Sequence, residues 1–265
     1  MATVPFTLAH AAAGPPLWRV TGRRLVLSAA IVGSMAPDFE YLVYLRTNRT
    51  IGHTLPGLVL MCLPASLLVL AAWHGLVKRP LAALAPAASV HLRTAASREF
   101  AWFPARRFLI ICASVLLGSW SHLAWDALTH RGGAVVRHLA LLRYPVGVGH
   151  LHVYNVLQLA SGFVGMALIA YWYRRWAVEA ARTASGAEAP EPSPALPART
   201  RWTALAAAGV TVTSGTLAGV ARALAAGGGP RRVLVQGVLG SMAAAALAAV
   251  ALALVLDVLL QRRRP

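Results

Sequence analysis

The sequence has little charge: 12% of its 265 residues are charged, and only 8 are Asp or Glu against 25 Lys and Arg. It contains two cysteines, Cys62 and Cys112, and both lie inside apolar runs, so neither a disulfide nor a cysteine metal site is predicted. There is no P-loop, no glycine-rich dinucleotide fingerprint and no Gly-x-Ser-x-Gly elbow. These absences weigh against nucleotide, redox and serine-hydrolase functions.

Hydrophobic residues, in contrast, make up 58% of the chain, and the mean hydropathy is +0.61. Four apolar runs are long enough to cross a bilayer, at 55–77, 108–129, 151–172 and 233–260. A weaker fifth run at 202–224 is rich in Ala, Gly, Thr and Ser, which suits close helix packing. The sequence therefore predicts an all-α, polytopic transmembrane helical bundle of about five or six membrane helices.

A stretch rich in Pro, Ala and Glu divides the chain by composition. Residues 177–201 are predicted to form a disordered linker. They separate a membrane domain at 1–176, which holds the histidines, from a pair of Ala-rich helices with a basic tail at 202–265. Any chemistry is therefore expected in residues 1–176.

The net charge of +17 comes from arginines scattered through the loops, without the aromatic-interleaved basic motif of a nucleic-acid binder. We therefore expect membrane lipids with anionic head groups as partners, and no nucleic acid.

The topology of residues 25–45 stays open, because a membrane span here would bury Asp38 and Glu40. Without that span, Lys and Arg divide 14 to 11 between the two faces; with it the division is 17 to 8, which the positive-inside rule prefers. Spanning would also put His10 across the membrane from His53, so the preferred topology and a site shared by these histidines conflict.

Three side chains able to bind metal recur every fourth residue near the end of the second apolar run: His122, Asp126 and His130. His122 and Asp126 can reach one ion, or they can form a structural hydrogen-bonded pair inside a bundle. His130 lies about 12 Å from His122 along a helix, so we expect it to serve outside the first coordination shell, at a second metal, or as a solvated helix end.

Further candidates precede or follow this run. Asp38 and Glu40 form an acidic pair after Pro37 that needs a cation nearby, although Asp after Pro is also common in turns. His53 stands just before a predicted span, where a polar interfacial residue is ordinary. Weaker candidates are His10, Arg49, Arg131 and the pair His150 and His152.

Several motifs combine into a recognisable set. They are Pro-Phe-Thr-x-x-His at 5–10, Ala-Pro-Asp-x-Glu within 33–41, His-Thr-Leu-Pro-Gly at 53–57, Ser-His-x-x-x-Asp within 118–130 and the segment Val-Tyr-Asn-Val-Leu-Gln-Leu-Ala-Ser-Gly-Phe-Val-Gly at 153–165. Together they resemble a family of bacterial integral membrane proteins with a domain of unknown function. That family is similar in turn to membrane-bound metal-dependent hydrolases, and the resemblance covers residues 3–175.

The resemblance implies a divalent metal, with zinc as the expected ion, that activates water against an ester or phosphoester. The implied metal ligands are Asp38, His53, His122 and Asp126, and His10 or Glu40 is expected to move the proton in the catalytic step. A multi-pass location in a bacterial inner (plasma) membrane follows. The alternative is a non-enzymatic scaffold or ion-pathway protein in which the same residues form structural pairs.

Overall fold

The computed structural model describes residues 7–47, 50–147, 151–184 and 191–261, and it is helical without β-strands over these ranges. Five helices are long and apolar enough to cross a membrane, which confirms the predicted all-α polytopic architecture. They are α5 (Leu55–Ala83), α7 (Ala105–Thr129, followed by the short α8, Ala134–His138), α9 (Val153–Thr183), α10 (Ala198–Ala225) and α11 (Pro230–Gln261). A short helix, α6 (Val90–Ser97), lies between the first two spans.

Four short helices precede the first span: α1 (Thr7–His10), α2 (Gly14–Val20), α3 (Leu27–Met35) and α4 (Phe39–Tyr44). Turns of 3-10 helix at Ala11–Ala13 and Ala36–Asp38 link them in pairs.

Residues 25–45 do not form one of the five candidate spans. The nine residues of α3 rise about 14 Å, roughly half the thickness of a bilayer core, and Pro37 then interrupts the helix.

The chain from α1 to Asp38 folds as an antiparallel hairpin, which we call the N-terminal hairpin (residues 7–38). Thr7 contacts Asp38, and Gly14 contacts Ile31. From the first pair to the second, the residue number rises in the α1–α2 segment and falls by the same amount from Asp38 into α3. The two segments are therefore antiparallel.

The predicted disordered linker at 177–201 is wrong at both of its ends. Helix α9 continues to Thr183, because Ala, Glu and Arg in this stretch favour helix, and α10 already begins at Ala198. Leu196 is buried beside Ala83 and Leu256, and its amide donates to the Ala83 carbonyl at 3.2 Å. The stretch before α10 is therefore packed against its neighbours at Leu196. Residues 185–190 lie outside the described ranges.

The chain forms two compact units that differ from the division by composition. The first unit comprises Met1–Glu40, Asn48–Leu68 and Trp102–Trp172, and the second comprises Tyr41–Thr47, Val69–Ala101 and Tyr173–Pro265. All six candidate catalytic and metal residues belong to the first unit.

Two glycines bring α3 and α7 into backbone contact in the first unit. A Cβ atom on Gly33 would lie 2.2 Å from the Val115 carbonyl oxygen, and one on Gly118 would lie 2.3 Å from the Ala30 carbonyl oxygen. Ser119 Oγ donates to the Gly33 carbonyl at 2.9 Å, which closes the contact. Val26 contacts Ser114 and Ser34 contacts His122, so the residue numbers rise together along the two helices. The two helices are therefore parallel.

We expect Gly118→Ala to destabilise the protein by about 1–3 kcal/mol, because the new methyl group forces the two helices apart. Gly209 in α10 offers a matched control: a Cβ atom there meets nothing within 4 Å, so Gly209→Ala should be neutral or stabilising by about 0.5–1 kcal/mol. Thermal unfolding in detergent checks both variants. Equal melting temperatures for the two would contradict the close packing described above.

Candidate metal centre

Three segments of the first unit bring together four buried or nearly buried side chains, which we call the four-residue cluster. Asp38 comes from the turn after α3, His53 from the segment before α5, and His122 and Asp126 from successive turns of α7. Their side chains expose only 7%, 5%, 1% and 4% of their surface, respectively. Buried charges of this kind need a partner, because an isolated carboxylate in an apolar environment is costly.

In the cluster, the Nε2 atom of each histidine faces one oxygen of Asp38 and one oxygen of Asp126. His53 Nε2 lies 3.3 Å from Asp38 Oδ1 and 3.7 Å from Asp126 Oδ2. His122 Nε2 lies 3.6 Å from Asp38 Oδ1 and 3.4 Å from Asp126 Oδ2. Four ligands at 2.0–2.2 Å from a tetrahedral metal stand about 3.3–3.6 Å from one another. The four distances between a histidine Nε2 and a carboxylate oxygen, 3.3–3.7 Å, are therefore close to the edge length of such a tetrahedron.

The other polar atom of each residue points outward to a partner that fixes its orientation. His122 Nδ1 lies 2.8 Å from the Ser34 carbonyl oxygen. A carbonyl only accepts hydrogen bonds, so Nδ1 carries the proton and the neutral ring presents a lone pair at Nε2. On the opposite side of the cluster, Thr7 Oγ1 donates to Asp38 Oδ2 at 2.8 Å.

Glu40 holds His53 in the same way. His53 Nδ1 lies 3.3 Å from Glu40 Oε1, and the carboxylate also accepts from the amides of Thr50 at 3.0 Å and Ile51 at 3.3 Å. Burial by itself would raise the pKa of Glu40, but the hydrogen bonds from Thr50 and His53 outweigh it and hold that pKa below its ordinary value. An ionised Glu40 favours the tautomer of His53 that leaves Nε2 to face the cluster.

His130 is the outward partner of Asp126. Its Nδ1 lies 3.2 Å from Asp126 Oδ1, and its Nε2 lies 2.9 Å from the side-chain amide nitrogen of Gln158 on α9. The amide nitrogen donates to Nε2, so a neutral His130 carries its proton on Nδ1 and donates it to Asp126. Of the three roles predicted for His130, this geometry favours the one outside the first coordination shell.

The donor set fits a metal ion. The Nε2 atom of His122 is buried and has no hydrogen-bond partner among the described residues. It faces two carboxylate oxygens, an arrangement that a bound cation stabilises. Imidazole rings whose second nitrogen is held by a carbonyl or a carboxylate are typical of metal sites. The ligating atoms of Asp38, His53 and His122 all lie within 4.8 Å of one another.

His10 lies beside the cluster. Its ring stacks on His122 with centroids 3.7 Å apart, and its Nε2 is 3.8 Å from Asp126 Oδ1. Burial lowers the pKa of His10 to about 4, and the neighbouring His122 adds to the effect, so the ring is neutral near pH 7. Its side chain is 18% exposed and that of His130 is 28% exposed, against 1% for His122, so the cluster is most accessible on this side.

The structure brings together all six residues that the sequence proposed for catalysis and metal binding. Arg49 and His150 lie outside the described residues, Arg131 is exposed, and His152 stacks on Tyr154 rather than joining the cluster. Sequence reasoning did not connect the outward partners Thr7, Ser34 and Gln158 with the cluster. All three stand in segments that carry the resemblance, Thr7 in the Pro-Phe-Thr-x-x-His motif, but nothing local in the sequence indicates which cluster residue each one contacts.

A family model described as a domain of unknown function, DUF4184, matches residues 4–259. This match extends beyond residues 3–175, on which the sequence resemblance rests, and includes α10 and most of α11. Neither the curated proteins nor the solved structures give a match.

Proposed function

The chain belongs to the DUF4184 family, and we propose that it is a membrane-embedded, metal-dependent hydrolase of esters or phosphoesters. The observation that carries this proposal is the four-residue cluster: two histidine Nε2 atoms each face one oxygen of Asp38 and one of Asp126 at 3.3–3.7 Å, and the other polar atom of each residue faces a partner outside the cluster. A structural hydrogen-bonded pair needs only two such residues. The set of two imidazoles and two carboxylates suits zinc among the divalent ions.

A bound divalent ion would supply Lewis-acid polarisation of the scissile group and of a water molecule. The residues of this chain do the rest. Neutral His10, at the more accessible side of the cluster, accepts the proton from water at Nε2 and returns it to the leaving group. His130 and Gln158 hold Asp126, and Glu40 holds His53, so the ligand atoms are in position before substrate arrives.

The experiment that tests the proposal is metal analysis of the purified protein in detergent, followed by hydrolysis assays with bis(p-nitrophenyl) phosphate and p-nitrophenyl acetate. We expect about one bound divalent ion per chain, and activity that EDTA removes and zinc restores. Protein without stoichiometric metal and without activity on either ester would instead favour the scaffold or ion-pathway alternative. His138→Ala, which alters an exposed histidine in α8, should retain wild-type metal content.

The outward partner Thr7 gives a milder test of the same geometry. We expect Thr7→Val to weaken metal affinity about 10-fold, because it removes the hydrogen bond to Asp38 Oδ2 while preserving the shape of the side chain. Competition with a chromogenic chelator measures the affinity. Thr211→Val is the matched control, since the Thr211 hydroxyl only donates to the carbonyl of Ala207 within α10. Equal affinities for both variants would show that Thr7 does not support the cluster.

A further inference from the structure

The contacts between α7 and α9 set the depth of the metal centre. His130 contacts Gln158, and the indole nitrogen of Trp125 donates to Ser161 Oγ at 3.1 Å. Asp126 therefore lies level with residues 158–161, about 8–12 Å along α9 from Val153. The centre is close to the membrane face at which α9 begins and α7 ends.

The other end of α9 carries the marks of the opposite membrane face. Trp172 lies about 21 Å along the helix from Gln158. Aromatic and basic side chains surround it in the sequence, at Tyr171, Tyr173, Arg174, Arg175 and Trp176. Such a belt is typical of the membrane–water interface.

The basic turn of the N-terminal hairpin lies at this second face. The Arg19 guanidinium is 4.1 Å from the centre of the Trp172 ring, and the Arg23 guanidinium is 5.1 Å from that of Trp18. Cation–π contacts of this kind hold Arg19 at the level of the aromatic belt. The hairpin thus runs from His10 at the metal centre to Arg19 near the other face, and α3 returns it to Asp38.

This fold resolves the conflict between topology and site. The sequence required Arg19, Arg23 and Arg24 to change face through a span at 25–45, which separated His10 from His53. In the hairpin, His10 remains in the same site as His53, while Arg19 lies at the level of the aromatic belt and Arg23 and Arg24 follow it in the turn before α3. The division of 17 to 8 that the sequence predicts for Lys and Arg is therefore compatible with a shared site, and in that division the larger number is assigned to the face opposite the metal centre.

The positive-inside rule assigns the face with more Lys and Arg to the cytoplasm. We infer that the metal centre opens to the extracytoplasmic side of the membrane. Used with the proposed function, this orientation means that the substrate comes from that side, as an anionic phosphoester of an outer-leaflet lipid head group or of a soluble molecule. The orientation itself does not depend on the enzyme activity.

Single cysteines test the orientation in the full chain after Cys62→Ala and Cys112→Ala remove the native thiols. Ala140→Cys, in the loop after α8, reports the face of the metal centre, and Ala101→Cys, in the loop before α7, reports the other face; both alanines are exposed. We expect a membrane-impermeant maleimide added to intact cells to label the first at least tenfold faster than the second. In opened membranes the two rates should become similar.

The reverse order of labelling, or equal labelling of both positions from outside, would overturn the inference. Gly132→Cys is a second reporter on the face of the metal centre, because a side chain there meets nothing within 4 Å. The result is separable from the proposed function: absence of metal would leave the labelling unchanged, and reversed labelling would leave the metal content of the purified protein unchanged.

Discussion

Replacing His122 with Ala is expected to abolish stoichiometric metal binding and to lower metal-dependent hydrolysis by more than about 100-fold. Loss of an outward partner alone typically costs 10–100-fold in metal affinity, and His122 supplies an inward ligand atom as well as the hydrogen bond to Ser34. The side chain is 1% exposed, so its removal also leaves a cavity that lowers stability. Metal content and hydrolysis rate are both measured on detergent-purified protein.

A second variant separates loss of a ligand from loss of the fold. Asp126→Asn preserves the size of the side chain but removes the negative charge that faces His122 at 3.4 Å. We expect it to fold, judged by its elution volume and thermal unfolding, and to lose the metal. Retention of stoichiometric metal by folded Asp126→Asn would exclude Asp126 as a charged ligand, and retention by His122→Ala would remove the tetrahedral cluster from consideration.

The second large expected effect distinguishes between Glu40 and His10, the two residues proposed for proton transfer. Glu40→Gln should weaken metal affinity about 10–100-fold while leaving kcat at saturating metal within a few fold, because Glu40 orients His53 and accepts from two backbone amides. His10→Gln should do the opposite: metal content is retained and kcat falls about 10²–10⁴-fold, since a neutral imidazole beside the cluster is lost. Titration of metal followed by steady-state kinetics gives both quantities.

The same measurements can also show that the two residues have the opposite roles. If Glu40→Gln lowers kcat at saturating metal and His10→Gln changes only metal affinity, then Glu40 transfers the proton and His10 has a supporting role. His91→Gln is a useful control for the second variant, because His91 contacts Trp176 in the second unit. Its kcat and metal affinity should equal those of wild type.

Most of the fold could be predicted from composition, because a protein that crosses a bilayer needs long apolar helices, and the limits of these helices are visible in the sequence. The i, i+4 spacing of His122 and Asp126 likewise followed from helix geometry alone. The position of His10 did not. Counting charges allows only two topologies, in which residues 25–45 either span the bilayer or lie outside it. It does not consider a hairpin that enters and leaves the bilayer on the same face, with Gly33 packed against α7.

The outward partners could not be predicted from the sequence for a related reason. Thr7 and Asp38 are 31 residues apart, and His130 and Gln158 are 28 apart on different helices, so no local period links them. The identity of Thr7 hints at hydrogen bonding but not at its acceptor. The predicted linker failed similarly, since the burial of Leu196 depends on Ala83 and Leu256, which are distant in sequence.

The close contact of α3 with α7 also determines when the centre can form during synthesis. Ser34 and His122 are 88 residues apart, so at 5–20 residues per second the ribosome makes α7 about 4–18 s after α3. Until then the face of α3 at Gly33 and the carboxylate of Asp38 have no partner from α7. The N-terminal hairpin can therefore dock on α7 only after the ribosome has made α7. The metal centre is among the last parts of the first unit to assemble, and a chain that has inserted its spans correctly can still lack it.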